Sequence, residues 1–257
     1  MHFPFRILGL HPHLVFETLA YAIGFRTYLV LRKRARDTVA DRTRFLAVAG
    51  AALGAALGSK LLHWLYDPAV TLAHLGDWRF MLAGKTIVGG LLGGVAGVEC
   101  TKRGIGEKRS TGDLYVLPLC LGIAIGRVGC FLTGLDDLTY GNETSLPWGV
   151  DLGDGVLRHP TALYEIAALA LIGAWAWRHR PAVSGDTFRG FMFLYLAFRL
   201  LVDPLKPEPR VLLGLSSIQI ACALGIAYYL RHLARVFSHS SPSQHRADGG
   251  TPTRTHE

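Results

Sequence analysis

Long apolar runs separated by short polar segments dominate the hydrophobic pattern of this chain. A run of about 20 apolar residues is long enough to cross a bilayer as a helix. The pattern predicts seven helices, at residues 14–31, 44–65, 82–100, 113–133, 160–177, 187–204 and 215–234. We therefore expect an all-α polytopic membrane protein with seven transmembrane helices.

Small residues are concentrated in two of these predicted helices. The third contains the glycine-rich run from Val88 to Gly94, and the second is rich in alanine and glycine between Ala47 and Gly58. Small residues allow helix backbones to approach one another closely within a membrane. The third helix is therefore predicted to be a tightly packed helix in the interior of the bundle.

The placement of the charged residues predicts the orientation of the chain. Basic residues cluster in three loops, as Arg32, Lys33, Arg34, Arg36, Arg42 and Arg44 in the first, Lys102, Arg103, Lys108 and Arg109 in the third, and Arg178 and Arg180 in the fifth. The even-numbered loops hold acids and prolines instead. Because cytoplasmic loops are enriched in Lys and Arg, we expect a periplasmic N-terminus and a cytoplasmic C-terminus. The net charge of +8 indicates this topology rather than nucleic-acid binding.

Two regions outside the predicted helices have a composition that differs from that of the apolar runs. In the outer loop 134–159, turn-forming residues alternate with aromatic residues, which is typical of an ordered loop at a membrane interface. From residue 238 onward the chain is rich in Ser, His, Pro, Gly and Thr. We therefore predict a seven-helix domain at 1–237 that includes the periplasmic loop 134–159, followed by a disordered cytoplasmic tail at 238–257.

The cysteine pattern indicates neither a disulfide framework nor a zinc site. The four cysteines are Cys100, Cys120, Cys130 and Cys222, widely spaced within or at the ends of apolar runs. They form no C-x-x-C pair and show no spacing typical of metal ligands.

Several ionisable or polar residues fall inside the predicted helices, or at their outer ends, at a similar depth. Arg127 lies about 9 Å below the outer end of the fourth helix, counted at about 1.5 Å per residue. An arginine cannot lose its proton to avoid burial as a charge, so it requires an anion, a carboxylate or water. Gly126 and Gly129 flank it and permit close approach of a ligand. The other residues at this level are Glu17, Lys60, Lys85, Arg158, His159, Tyr164, Glu165, Tyr195, Arg199 and Asp203.

Cations outnumber acids in this group, which favours a cavity that opens outward and binds an anion. The alternative is a set of structural ion pairs, with Arg199 and Asp203 as the most obvious pair. Snorkelling of the Lys60 ammonium to the interface is a further alternative for that residue.

Five sequence blocks resemble motifs of the prolipoprotein diacylglyceryl transferase family, and they occur in the same order. The blocks are Leu19 to Phe25, Gly126 to Phe131, Pro147 to Val150 with Arg158 to Glu165, Tyr195-x-x-x-Arg199-x-x-x-Asp203, and Leu215 to Gln219. The resemblance implies a cofactor-free enzyme of the bacterial inner membrane. Its substrates would be phosphatidylglycerol and the lipobox cysteine of a prolipoprotein, whose thiol receives the diacylglyceryl group while glycerol phosphate is released.

The resemblance also implies roles for the matched residues. Arg127 would bind the phosphate, Arg199 would orient or stabilise it, and Tyr195 would donate a hydrogen bond. We expect further substrate contacts from Asp203, Arg158, His159, Tyr164 and Glu165, and from Lys60 because of its depth.

The chain departs from the family at the position expected to supply the base. The family usually has His-Gly-Gly at the start of the third helix, whereas this chain has Val88 at the aligned position. Valine cannot accept the thiol proton, and the thiolate is the nucleophile. Lys85, one turn earlier, and Glu17, where the family often has tyrosine, are the two candidates. Aspartate replaces the usual glutamate at Asp203, and Cys130 stands where asparagine is frequent.

Three functions are compatible with these observations. The first is diacylglyceryl transfer to prolipoproteins, and the second is transfer of a lipid group to a different acceptor by a divergent relative. The third is a non-catalytic phospholipid-binding protein or transporter. A transporter more often shows inverted repeats and broken helices, which the sequence does not show. Retention of both arginines favours an enzyme over an inactive relative.

Overall fold

A computed structural model describes residues 10–137, 139–178 and 183–238, with side chains as far as residue 230 in the last helix. The helices are α1 (Pro12–Arg34), α2 (Asp41–Trp64), α3 (Pro68–Ala73), α4 (Trp78–Leu82), α5 (Ile87–Ile105), α6 (Val116–Thr133), α7 (Thr161–Arg178), α8 (Asp186–Val202) and α9 (Ser217–Ser238). Short 3-10 turns cover Asp113–Tyr115, Gly134–Asp137 and Asp203–Leu205. Arg180 and the predicted tail beyond residue 238 lie outside the described residues.

Seven helices in the described part of the chain have 17 residues or more, and each coincides with one of the predicted apolar runs. Within the residues that the structure describes, three segments are both long and apolar enough to cross a membrane: Pro12–Arg34, Asp41–Trp64 and Asp113–Asp137. The fold is therefore mostly helical, as the hydrophobic pattern predicts.

The predicted start of the third long helix at residue 82 is wrong by five residues. Asp77 caps the short helix α4 by accepting a hydrogen bond from the backbone N–H of Arg79 at 2.9 Å. The chain then turns at Gly84, whose φ of 65° lies in the left-handed region that favours glycine. Helix α5 begins only at Ile87, because the local capping and the glycine turn override the apolar pattern.

Helices α2 and α5 pack with their backbones almost in contact. Gly50, Gly54 and Gly58 of α2 face Gly97, Gly93 and Gly89 of α5, which makes the pair antiparallel. A Cβ atom on Gly93 would overlap the carbonyl oxygen of Gly54 and lie 2.8 Å from the Cα of Gly58. Spacing of small residues by four allows this approach. The prediction that the glycine-rich helix is tightly packed is confirmed.

The other long helices pack as a series of neighbours around one apolar core. Helix α6 contacts α1 and α7, α8 contacts α7 and α9, and α9 contacts α5. Phe191, Met192, Tyr195 and Leu196 of α8 are fully buried in this core, together with Cys222 of α9. Because the polar residues of α6, α7 and α8 converge at the edge of the core, these three helices position the candidate site.

The loop between α6 and α7 contains a short antiparallel ribbon that the helical pattern does not predict. Strands β1 (Val150–Asp151) and β2 (Leu157–Arg158) pair across a turn. The carboxylate of Asp151 accepts hydrogen bonds from the backbone N–H groups of Gly153 and Gly155 at 2.8 and 3.0 Å, which lowers its pKa. The backbone N–H of Asn142 donates to the carbonyl oxygen of Leu205 at 2.7 Å, which joins this loop to the segment after α8.

Candidate functional site

A buried carboxylate joins two arginines where α6, α7 and α8 meet. Glu165 is 1% exposed, and its Oε2 lies 2.9 Å from Nε of Arg127 and 3.2 Å from Nη1 of Arg199. The hydroxyl of Tyr195 donates a hydrogen bond to Oε1 of the same carboxylate at 2.7 Å. The sequence-based prediction that these four residues lie together is therefore matched by the structure.

This cluster retains one uncompensated positive charge. Two guanidinium groups and one carboxylate are present, and Arg127 and Arg199 are 7% and 4% exposed. The Nε atom of Arg199 is buried without a hydrogen-bond partner, so a donor is still available. An excess guanidinium charge shielded from water favours an anionic ligand with several oxygen acceptors.

Asp203 lies beside the cluster but does not pair with Arg199 as the alternative interpretation expects. It is fully buried, accepts a hydrogen bond from Oγ of Ser216 at 2.6 Å and lies 3.8 Å from Nη1 of Arg210. Helix α8 ends at Val202, and the backbone tightens into a 3-10 turn at Asp203. Because of this change of helical geometry, the Asp203 carboxylate is not directed toward the Arg199 guanidinium.

Two ionisable residues after α8 extend the site, and the sequence analysis missed both. Lys206 is buried, and this burial together with the positive charges of Arg199 and Arg127 lowers its pKa to about 7. Burial and the neighbouring carboxylate of Asp203 raise the pKa of Glu208 to about 7. Both lie in a proline-rich segment whose sequence is typical of a surface loop, and only the folded structure shows that Lys206 is buried there.

Glu17 and Lys85, the two candidates for the base, form an ion pair with each other at the edge of the site. The ammonium of Lys85 lies 2.6 Å from Oε1 of Glu17. The other oxygen of Glu17 lies 3.5 Å from Nε2 of His13, one turn earlier on α1. Val88, at the position where the family usually has histidine, is 1% exposed and packs in the apolar core.

The structure does not bring Lys60 to the arginine cluster by any direct contact among the described residues. Its ammonium donates hydrogen bonds to the backbone carbonyl oxygens of Leu82, Ala83 and Gly84, the latter two at 3.0 and 2.7 Å. Lys60 therefore stabilises the chain segment that enters α5. The expectation that it binds substrate has no geometric support here.

Arg158, His159 and Tyr164 hold the outer loop against α7. Arg158 forms an ion pair with Asp154 at 2.7 Å, which lowers the pKa of that carboxyl. The Tyr164 hydroxyl accepts a hydrogen bond from Nε1 of Trp148 at 2.8 Å and lies 3.2 Å from Nδ1 of His159. A small pocket lies beneath this loop, with Arg158 and His159 in its wall. Arg158, His159 and Tyr164 therefore fix the position of the loop that covers the site.

A second cluster of donor groups, which the sequence analysis missed, lies next to Arg127. It comprises His13 of α1, Cys130 of α6 and Asp137 of the following 3-10 turn, whose ligand atoms all lie within 4.8 Å of one another. The Sγ atom of Cys130 is 3.7 Å from Nη1 of Arg127. Residue spacing could not reveal this cluster, because His13 is more than one hundred positions away from the other two.

An apolar groove runs along α1, α6 and α7. Its wall includes Ala124, one turn before Arg127, and Ile166, directly after Glu165. It continues along α7 to Trp177. The groove therefore begins at the level of the arginine cluster and extends toward the opposite end of the helices.

Comparison with known proteins gives one consistent family. The family described as "Prolipoprotein diacylglyceryl transferase" matches residues 9–235. The phosphatidylglycerol–prolipoprotein diacylglyceryl transferase of Geobacter sulfurreducens is 33% identical over 222 residues, which cover 77% of this chain and 80% of the relative. The enzymes of the same name from Bordetella parapertussis and Nitrosomonas europaea are 33% identical over 223 residues (77% and 80% covered) and 29% identical over 222 residues (79% and 77%). No solved structure was found to match the chain.

Proposed function

Since the chain belongs to the prolipoprotein diacylglyceryl transferase family, we propose that it moves the diacylglyceryl group of phosphatidylglycerol to the cysteine thiol of a prolipoprotein. The acceptor is the lipobox cysteine next to the signal peptide. The protein acts in the bacterial inner membrane with all seven long helices crossing the bilayer, its N-terminus periplasmic and its C-terminus cytoplasmic. The alternation of basic and acidic loops supports this orientation.

The observation that carries this proposal is the buried arrangement of Arg127 and Arg199 around Glu165. The transfer breaks the bond between a glycerol carbon and a phosphate oxygen, so negative charge builds up on the departing glycerol phosphate. Guanidinium groups bind phosphate oxygens in a bidentate manner. Within a site shielded from water, preorganised positive charge stabilises such developing charge strongly.

Glu165 and Tyr195 position the two arginines rather than contact the reacting carbon. The carboxylate of Glu165 bridges both guanidinium groups, and the Tyr195 hydroxyl fixes the carboxylate. The bridge orients the groups before the lipid arrives, which reduces the reorganisation needed in the transition state. Asp203 stabilises the segment that carries Lys206, through its contact with Ser216.

The apolar groove beside the cluster suits an acyl chain of the lipid. Its wall is mostly apolar, and it starts at Ala124 and Ile166, next to Arg127 and Glu165. A phospholipid whose phosphate meets the arginines would therefore extend its hydrocarbon along α1, α6 and α7. This arrangement places the glycerol carbon between the groove and the outer loop.

The acceptor thiol needs a base, and Glu17 fills this role. Its carboxylate is part of the corner that also contains His13 and Cys130, on the Arg127 side of the cluster. Lys85 contacts Glu17 directly and holds that carboxylate in place. Arg158, His159 and Tyr164 shape the loop that covers the bound substrates.

Replacement of Arg127 tests the phosphate-binding role. Arg127→Ala should lower the rate of labelled diacylglyceryl transfer from phosphatidylglycerol to a prolipoprotein peptide by about 10² to 10³ fold, the effect typical of one lost charge-stabilising group. Arg79→Ala, which removes an exposed arginine of α4, is the matched control and should transfer at the normal rate.

Loss of Arg127 also leaves Glu165 with one fewer partner, so the fold requires its own check. Arg199→Lys keeps the positive charge and should retain thermal stability while it loses most of the transfer rate, because an ammonium cannot bind bidentately. Normal transfer by both Arg127→Ala and Arg199→Lys would contradict the proposed role of the cluster. Lipid transfer to an acceptor other than a cysteine peptide would support the divergent-relative hypothesis instead.

A further inference from the structure

The apolar groove along α1, α6 and α7 has two arginines at the end that is remote from the arginine cluster. Arg26 and Arg34 of α1 both contribute to its wall, and Trp177 in the last turn of α7 lies at the same end. We call these three residues the inner end of the groove. Apart from Thr27, the remaining wall residues are apolar. The groove therefore combines a basic end with an apolar length, as a phospholipid site requires.

The inner end of the groove lies at the level where α6 begins and α7 ends. Two positions after Arg26, the ring of Tyr28 stacks on that of Tyr115, which directly precedes α6, with the ring centroids 4.8 Å apart. Trp177 is 60% exposed at this level. Because tryptophan and tyrosine are enriched at membrane–water interfaces, this level corresponds to that of the lipid headgroups.

The two arginines of the inner end are not neutralised by neighbouring carboxylates. The side chains of Arg26 and Arg34 form no hydrogen bond or ion pair with any part of the chain that the structure describes. Arg44, at the same end of the molecule, is by contrast buried and lies 2.8 Å from the carboxylate of Asp37. Two guanidinium groups without a carboxylate, beside an apolar surface, favour a ligand with an anionic head and a hydrocarbon tail.

The length of the groove matches the depth of one leaflet. Along α7 its wall runs from Ile166 to Trp177, a rise of about 16 Å at about 1.5 Å per residue. The hydrocarbon core of a bilayer is about 30 Å thick, so the chains of one leaflet cover about 15 Å. A lipid whose headgroup lies at the inner end would therefore fill the groove with one acyl chain as far as the bilayer midplane.

We propose that the inner end of the groove binds an anionic phospholipid of the cytoplasmic leaflet, with its phosphate between Arg26 and Arg34 and one acyl chain along the groove. Guanidinium groups bind phosphate oxygens in a bidentate manner, and basic pockets between transmembrane helices at the cytoplasmic side are typical sites for anionic lipids. The inference takes the side of the membrane from the orientation given under the proposed function. The binding itself does not depend on the transfer reaction.

A lipid bound here would contact α1, α6 and α7 at once. Because α6 carries Arg127 and α7 carries Glu165, the lipid would stabilise the helices of the arginine cluster from their opposite end. A ligand that binds only the folded protein raises its stability by mass action. Since the acyl chain of the substrate would enter the same groove from the other end, binding at the inner end is best measured where the substrate site is impaired.

Native mass spectrometry of the full-length protein, in detergent that contains equal amounts of phosphatidylserine and phosphatidylcholine, tests the inference. All proteins carry Arg127→Ala, so that anionic lipid at the arginine cluster contributes little. We expect this parent protein to retain one phosphatidylserine in preference to phosphatidylcholine. Arg26→Gln combined with Arg34→Gln should lower the affinity for phosphatidylserine by about tenfold or more, because charge-assisted hydrogen bonds to the phosphate are lost.

Two matched controls separate the groove from general positive charge and from general changes in α7. Arg42→Gln combined with Arg103→Gln removes the same charge from exposed positions at the same end of the molecule, outside the groove, and should retain the lipid. Ala170→Phe fills the groove while both arginines remain, and should lose the lipid. Ala167→Phe, at an exposed position of α7 outside the groove wall, should keep it.

Equal retention of the two lipids by the parent protein would overturn the proposal, as would equal loss of phosphatidylserine in the two double arginine variants. Thermal unfolding provides a second measurement and checks the fold. Without added lipid, the Arg26→Gln and Arg34→Gln double variant should unfold at the temperature of the parent, and phosphatidylserine should raise the midpoint of the parent alone. An equal rise in both proteins would place the lipid elsewhere and overturn the site. Because no transfer reaction is measured, such a result would leave the transferase function intact.

Discussion

Positive charge at the candidate site comes from two chemically different kinds of side chain. Arg127 and Arg199 stay protonated at every accessible pH, whereas the pKa of Lys206 is lowered to about 7 by burial and by those two arginines. Glu208, on the same segment, has a pKa raised to about 7 by burial and by Asp203. The net charge of the site therefore changes near neutral pH although the arginines do not titrate.

Affinity for phosphatidylglycerol should consequently fall as pH rises from 6 to 8. Lys206 loses its positive charge and Glu208 gains a negative one over this range, and both changes disfavour an anionic lipid. The phosphodiester itself stays anionic throughout. Equilibrium binding of phosphatidylglycerol to the protein in nanodiscs measures the slope of lipid affinity against pH. Because no acceptor thiol takes part in this measurement, thiol ionisation does not affect it.

The Lys206→Arg variant should bind the lipid with a smaller pH dependence, because a guanidinium keeps its charge over the whole range. The Lys206→Met variant should bind several-fold more weakly at pH 6 and resemble the wild-type protein at pH 8. The residual slope in Lys206→Arg belongs to Glu208 and should vanish when Glu208→Gln is added. Identical slopes in wild type and Lys206→Arg would exclude a role for Lys206.

Among the helices, α2 and α5 have the tightest contact, and its geometry explains the glycine content of both. Three glycines on each helix face those on the other, and the backbones lie so close that side chains are excluded. Without a hydrophobic driving force between helices in lipid, close backbone packing is the main source of association. The pair also holds the segment through which Lys85 reaches Glu17.

Two glycines of α5 should respond differently to the same substitution. Gly93→Ala places a methyl group against the backbone of α2 and should destabilise the protein by about 1–3 kcal/mol, the range typical of overpacking. At Gly90 the nearest atom to an added Cβ is 3.8 Å away, so Gly90→Ala should be neutral or slightly stabilising. Thermal unfolding in detergent, followed by circular dichroism, measures both, and equal effects would contradict the packing described.

At the scale of the whole molecule, loop charge and the position of the site both support the proposed orientation of the chain. The arginine cluster, the ribbon β1–β2 and the segment after α8 all lie at one end of the helices, and the basic loops lie at the other. Both substrates would therefore enter from the periplasmic side. A lipid carried along the apolar groove would meet a secreted prolipoprotein at that end.

Cysteine labelling in spheroplasts tests this orientation. With Cys100→Ser as background, Ser145→Cys in the α6–α7 loop should react with a membrane-impermeant thiol reagent, because both residues are small and position 145 is exposed. Lys108→Cys, in the exposed loop between α5 and α6, should react only after the membrane is permeabilised. The reverse pattern would invert the proposed topology.

The sequence by itself determined the helices and the residues of the arginine cluster, because hydropathy and motif spacing are local properties of the chain. A long apolar run predicts α6, and an arginine with flanking glycines stands out within it. The boundary of α5 was misplaced because a cap at Asp77 and a turn at Gly84 interrupt an apolar run.

Only the tertiary structure decided which polar groups meet. The end of α8 and its orientation relative to α7 decide whether Arg199 pairs with Glu165 or with Asp203. No local sequence pattern predicts that orientation. The burial of Lys206, and the meeting of His13 with Cys130, likewise depend on contacts between segments far apart in the chain. Packing between distant segments sets the distances between these groups, and those distances determine their electrostatic interactions. The chemistry of the site therefore depends on the tertiary structure.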